Sequence, residues 1–219
     1  MADNDILFDA KFNVAVQDFM LARGYEFEPG IKHDAYRKQP VYFFEMHKKI
    51  NMGKMPDAVN KHFEDVQNRL VSTKNAYQKN LNLQDFYLHV VCHFTNHLKC
   101  SIGGLKYLCD IYLLIKKFFK QEDINMIEDV AKNLEIQSDE ACFRGLAYKI
   151  FNEDKSPYLK EDEYKILECC VQNGEHGNFQ IYAKNKLKRD LKNPKKLIKD
   201  AYLGLKMWGP KKIIKGFKK

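Results

Sequence analysis

Three carboxylates could do chemistry in this chain. Asp3 and Asp5 stand two residues apart, just ahead of the apolar run Ile6-Leu7-Phe8. On a β-strand, residues two apart share a face, so both acids can converge on one cation. Glu45 lies in the apolar stretch "VYFFEMHKKI". In a strand there, Tyr42, Phe44 and Met46 face one side, and Phe43, Glu45 and His47 the other. An acid beside Phe43 requires a metal, a basic partner or an open face. Magnesium takes oxygen ligands, typically a few carboxylates plus substrate phosphates. A third carboxylate on a neighbouring strand can serve as ligand or as base for an attacking hydroxyl. That is the arrangement of two-metal phosphoryl and nucleotidyl transfer. Taken alone, Asp-x-Asp equally describes an N-terminus whose acids face water.

A second group is the run His89, His93 and His97 in "FYLHVVCHFTNHLKC". Histidines four apart drift only slightly round one helical stripe, and adjacent pairs can share a metal. There is no HExxH pattern and no further nominated ligand. Structural hydrogen bonding, or contact with phosphate at a cleft, is therefore expected ahead of zinc. Asp110 falls inside the apolar segment "GGLKYLCDIYLLIKK", where a buried acid needs a donor such as Lys106 or a histidine. A structural ion pair or an exposed position is expected ahead of that. A Cys92–histidine dyad is disfavoured, because neighbours on a helix face apart. No GxSxG, P-loop or GxGxxG occurs.

The elements that must position these groups fall into two stretches. A short strand is expected over 5–9, then a helix in "KFNVAVQDFMLARG" stopped by Gly24. "YEFEPG" predicts a strand and a Pro-Gly turn. "HDAYRKQP" and "VYFFEMHKKI" predict a hairpin about Gln39-Pro40. From residue 57 the period becomes helical and no strand is expected. Helices are predicted over 57–80, 84–98, 103–120, 123–133, 138–153, 159–173, 178–191 and 194–207. "NPKKLIKDAYLGLKMWG" is amphipathic, suited to packing on its own domain or lying on a membrane surface. The predicted class is α+β: a small mixed or antiparallel sheet in residues 1–55, then a larger helical domain over 56–219. Four strands and one helix cannot cover both faces of a sheet, so the helical part or a further segment must do so.

With 219 residues, 45% apolar and 13% aromatic, the chain can bury a sizeable core. No apolar run has the length to span a bilayer, and the N-terminus lacks a signal-peptide pattern. The six cysteines show no CxxC spacing, which points to reduced thiols and a cytoplasmic setting. The net charge of +8 is uneven. Residues 184–219 carry 14 Lys and Arg against Asp190 and Asp200, a net of +12, and this leaves residues 1–183 at −4. A basic C-terminal segment suits RNA, nucleotide phosphates or an acidic partner, or is a solvated lysine face.

In order and spacing, these pieces resemble the uncharacterised nucleotidyltransferase family of the polymerase-β-like superfamily. "MADNDILFD" is similar to its Asp-x-Asp strand, "MLARGYEFE" to the following helix end and Gly-Tyr, and "KHDAYRK" to its His-containing strand. "VYFFEMHKKI" resembles its Val-Glu-Leu-His strand, and "HVVCHFTNHLKCSIGGLKYLCDIYLLI" its His-rich and Asp-containing helices. "QNGEHGNF" is similar to a late Gly-x-x-Gly turn. The resemblance implies a partial nucleotidyltransferase-like sheet and Mg²⁺-dependent transfer of a nucleotidyl group from an NTP to an unknown acceptor. Asp3 and Asp5 would be metal ligands, with Glu45 as third carboxylate, ligand and base. His33 and His47 would line the cleft, and His93 and Asp110 would contribute to nucleotide binding. The superfamily carries a glycine-bearing helix-turn ahead of the Asp-x-Asp strand, and none precedes Asp3 here. The expectation is thus an N-terminally truncated member, with activity of this chain in doubt. The competing expectation is a non-catalytic helical module that binds RNA or an acidic partner through its basic C-terminus.

Overall fold

Alternation of apolar and polar residues builds the sheet. In the computed structural model, which describes residues 4–30, 33–99, 104–152 and 158–173, four strands form in the first 47 residues. They are β1 (Asn4–Leu7), β2 (Glu26–Glu28), β3 (Asp34–Lys38) and β4 (Tyr42–His47). Their order is β1-β4-β3-β2, with β1 parallel to β4 and the other pairs antiparallel. The sheet is therefore mixed. The β3–β4 hairpin turns at a cis Gln39-Pro40 bond, where the sequence places it. Period two sends Tyr36, Phe44 and Met46 to one face. Helix α1 (Asn13–Ala22) supplies Met20 and Val16 to that face, and Phe27 and Tyr25 complete the cluster. Burying each such side chain contributes about 1.5–3 kcal/mol.

Local signals set the ends of α1. Asp9 accepts a hydrogen bond from the Lys11 amide at 3.1 Å and starts a 3-10 turn at Ala10–Phe12 that leads into the helix. Gly24 follows the last turn at φ +78°, the left-handed conformation that ends a helix most cheaply in glycine. Phe12, Val14, Phe19 and Leu21 remain exposed, and the Arg23 guanidinium stacks over Phe19 with its carbon 3.4 Å from the ring centroid.

The remainder is mostly helical: α2 (Asp57–Glu64), α3 (Leu83–Lys99), α4 (Leu105–Phe118), α5 (Gln121–Asn133), α6 (Gln137–Phe151) and α7 (Glu161–Asn173). The expected helix over 57–80 is corrected. It stops at Glu64, a 3-10 turn covers Val66–Arg69, and a hairpin follows with β5 (Val71–Ser72) paired to β6 (Lys79–Asn80). The expectation of no strand beyond 57 falls with it. The cause is local competition for the backbone. Thr73 Oγ1 accepts from the Asn75 amide at 3.1 Å and donates to the Gln78 carbonyl at 3.0 Å, while Asn75 Oδ1 accepts from the Tyr77 amide at 3.0 Å. These bonds fold the segment into a turn. The helices expected over 178–191 and 194–207, the basic segment 184–219 and most of the Gly-x-x-Gly turn lie outside the described residues.

The chain divides into two compact units, Met1–Asn96 with Leu113–Cys142, and His97–Tyr112 with Phe143–Lys219. In the first, Val59, Phe63, Tyr87, Leu88, Val91 and Phe94 are buried in addition to the sheet's own cluster. Asp85, 2% exposed, is the polar hub of that unit. It accepts from Arg69 Nε at 2.9 Å, from His62 Nε2 at 2.6 Å and from Asn82 Nδ2 at 2.7 Å, while its own amide donates to Asn82 Oδ1 at 2.8 Å and caps α3. In the second unit, Leu108, Ile111, Phe143, Leu146 and Ala147 are buried, and Lys149 Nζ bonds both oxygens of Glu163 at 2.7 and 2.6 Å.

Candidate functional site

The face of the sheet opposite Met20 carries the chemistry. Register places Asp5 of β1 directly beside Glu45 of β4, and Glu45 beside Ala35 of β3. His47 follows two residues after Glu45 on the same face, and His33 sits one residue before β3. Asp5, Glu45, His47 and His33 thus meet at one end of three neighbouring strands. Asp3 lies outside the described residues.

The contacts are close. His47 Nε2 is 2.8 Å from Asp5 Oδ1 and 3.8 Å from Glu45 Oε2. His33 Nε2 is 3.2 Å from Glu45 Oε2, and the two imidazole centroids are 4.8 Å apart. Asp5 is the open member, its side chain 61% exposed, whereas Glu45 is 19% exposed. The hydrogen bond from His47 holds the Asp5 carboxyl below the usual aspartate range; partial burial opposes this, and the charges of His47, His93 and His33 assist it. An ionised carboxylate only accepts hydrogen bonds, so the His47 Nε2 bears the proton it donates.

α3 adds two histidines to this environment. His89 and His93, one helical turn apart, have ring centroids 5.8 Å from each other. Burial first, and then the charge of His93, bring the His89 imidazole down to about 4 against an opposing pull from Asp5. Both histidines are therefore within electrostatic reach of Asp5, and the His89–His93 part of the expected stripe belongs to the site's surroundings. His97 belongs to the second unit, where its ring lies 5.3 Å from that of Tyr107. Asp110 also belongs to the second unit and is exposed on α4, in line with the exposed-position reading.

One residue on this face was not nominated by sequence, Arg37. It lies on the same face as Glu45, its guanidinium carbon 4.2 Å from the Phe43 ring centroid and its Nε 3.4 Å from Glu28 Oε2. Alternation in "DAYRK" places it there once the face of Tyr36 is known.

Asp5 and Glu45 offer side-by-side carboxylate oxygens on a partly open face, a donor set that fits a hard divalent cation. His33, Glu45 and His47 each place one donor atom within 4.8 Å of the others. Among the described residues, no helix is long and apolar enough to cross a membrane.

Residues 1–152 match the family model described as an uncharacterised nucleotidyltransferase. The span takes in the whole sheet, the carboxylate–histidine cluster and helices α1 to α6. No curated protein and no solved structure matches the chain.

Proposed function

Because the chain belongs to the uncharacterised nucleotidyltransferase family, we propose that it transfers a nucleotidyl group from an NTP to an acceptor at the Asp5–Glu45 face, with Mg²⁺ as cofactor. The observation that carries this reading is the pairing of Asp5 with Glu45 on adjacent parallel strands, both directed away from the α1 core.

Each side chain has a task in this reading. Asp5 and Glu45 would hold the cation, joined by Asp3, two residues ahead of Asp5 in sequence. A bound magnesium ion supplies positive charge to the triphosphate and to the charge that develops on the reacting phosphoryl oxygens. Glu45 is the more enclosed carboxylate and accepts the proton of the acceptor hydroxyl. The acceptor oxygen then bonds to the α-phosphorus as the bond to the bridging oxygen breaks, and pyrophosphate leaves with that electron pair. His47 orients Asp5 and keeps it ionised. Arg37, after exchanging Glu28 for phosphate, supplies a planar donor fork. His33 and His93 line the approach.

The test is calorimetric titration of each NTP into the folded chain, with and without Mg²⁺. Metal-dependent binding that Asp5→Asn abolishes supports the reading. NTP binding indifferent to metal, or retained in the variant, contradicts it.

A further inference from the structure

Magnesium asks for oxygen, yet the closest neighbours of both carboxylates are ring nitrogens. His33 Nε2 and His47 Nε2 lie 3.2 and 3.8 Å from Glu45 Oε2, and His47 Nε2 lies 2.8 Å from Asp5 Oδ1. In a four-coordinate site with bonds of about 2.0–2.1 Å, adjacent donor atoms stand about 3.3–3.4 Å apart. The three separations bracket that spacing. Imidazole suits zinc and its neighbours in the transition series, whereas magnesium keeps water and carboxylate. Three of the four side chains are largely shielded, with exposures of 30%, 19% and 23% for His33, Glu45 and His47. Desolvation of that kind favours ligands that exchange water for nitrogen.

We propose that His33, Glu45 and His47 form a binding site for a zinc-class divalent cation, with the fourth position open to water or Asp5. The site shares Glu45 with magnesium, so the two cations compete for it. The inference rests on the nucleotidyl-transfer reading only for the consequence of binding: a zinc-class ion there excludes or replaces the magnesium that the NTP requires.

Two backbone features hold the donors in place. His33 is next to Asp34, a buried acid anchored by Lys48 Nζ at 2.9 Å on the opposite face. His47 ends the longest strand, and its carbonyl accepts from the Phe8 amide at 3.0 Å. Both imidazoles thus stand on backbone that the sheet already fixes, which is what a selective metal site needs.

Co²⁺ is the probe, because four-coordinate Co²⁺ absorbs visible light far more strongly than six-coordinate Co²⁺. Titration into the full chain is expected to give an intense visible band, removed by stoichiometric Zn²⁺ but not by a large excess of Mg²⁺. His33→Ala and His47→Ala should each lower Co²⁺ affinity at least about tenfold, and the double variant should lose the band, with far-UV circular dichroism unchanged. Should a histidine variant fail to fold, Asp5→Ala at the exposed position reports instead, through an altered band. A weak six-coordinate spectrum, a cobalt–thiolate charge-transfer band, or affinity unchanged in the variants overturns the proposal. Mg²⁺-dependent NTP binding, measured in parallel, separates the two readings. NTP binding with a six-coordinate cobalt spectrum removes the zinc-class site and leaves nucleotidyl transfer standing. An intense histidine-dependent band without NTP binding does the reverse.

Discussion

Asp5 and Glu45 are register partners on adjacent parallel strands, forty residues apart in sequence and side by side on one face of the sheet. Like charges so placed repel unless cations or donors lie between them. Here His47 bonds Asp5, and His33 and His47 both approach Glu45. Each carboxylate thus faces an imidazole nitrogen, and a divalent cation would relieve the remaining repulsion between them.

Asp5→Asn should remove Mg²⁺-dependent NTP binding while changing stability by no more than about 1 kcal/mol, since an exposed ion pair contributes little. Calorimetry and urea denaturation on the same preparation check both halves. Unfolding of the variant would mean that Asp5 is structural.

His47→Ala should weaken divalent-cation affinity by about 10–100-fold, through loss of the group that orients Asp5. His47→Gln, which can still donate a hydrogen bond, should recover part of it. A competition titration with a chromogenic chelator measures the order wild type, Gln, Ala.

Acid should destabilise the chain before its carboxylates protonate. The folded-state His89 sits at about 4, below its ordinary 6.5. Between those values the unfolded chain binds the proton and the folded chain does not, so stability is full above about 6.5 and falls as pH drops toward 4. The full loss is about 3 kcal/mol. Urea midpoints at pH 7.5 and pH 5 should differ, and His89→Gln should shrink the difference.

Asp85→Ala should cost about 3–5 kcal/mol, because it strands Arg69, His62 and the Asn82 side-chain amide without their shared acceptor. Burial alone would push the Asp85 carboxyl up, but the bonds from Arg69 and His62 outweigh it and hold it down. Denaturant midpoints measure the loss.

Gly24→Ala should cost about 1 kcal/mol. Nothing lies within 4 Å of the added methyl, so the cost is that of holding alanine at φ +78°. A matched Ala22→Gly control separates this from general loss of helix propensity.

Much of this protein is written in local pattern. Alternation in "VYFFEMH" put Glu45 and His47 on one face and Phe44 and Met46 on the other, and the sheet keeps that division. Gly24 marked the end of α1, and Gln39-Pro40 the hairpin turn. The boundaries of α3 to α7 lie within a few residues of those that helical period suggests. Ordered motifs alone pointed to the nucleotidyltransferase family, and the match over residues 1–152 bears this out. Local pattern misled where side chains compete for the backbone, as at Thr73 and Asn75.

Long-range geometry decided the rest. Sequence proposed that Asp5 and Glu45 act together but could not say which residue of β4 lies beside which residue of β1. Burying Tyr36, Phe44 and Met46 against Met20 fixes which faces of β3 and β4 turn inward, and β1 takes its place by pairing in parallel with β4. The nearness of His33 to Glu45, the electrostatic reach of His89 to Asp5, and the Asp85 hub join residues 12 to 84 positions apart. Such contacts depend on how elements close on one another, and side-chain spacing along the chain carries no record of that.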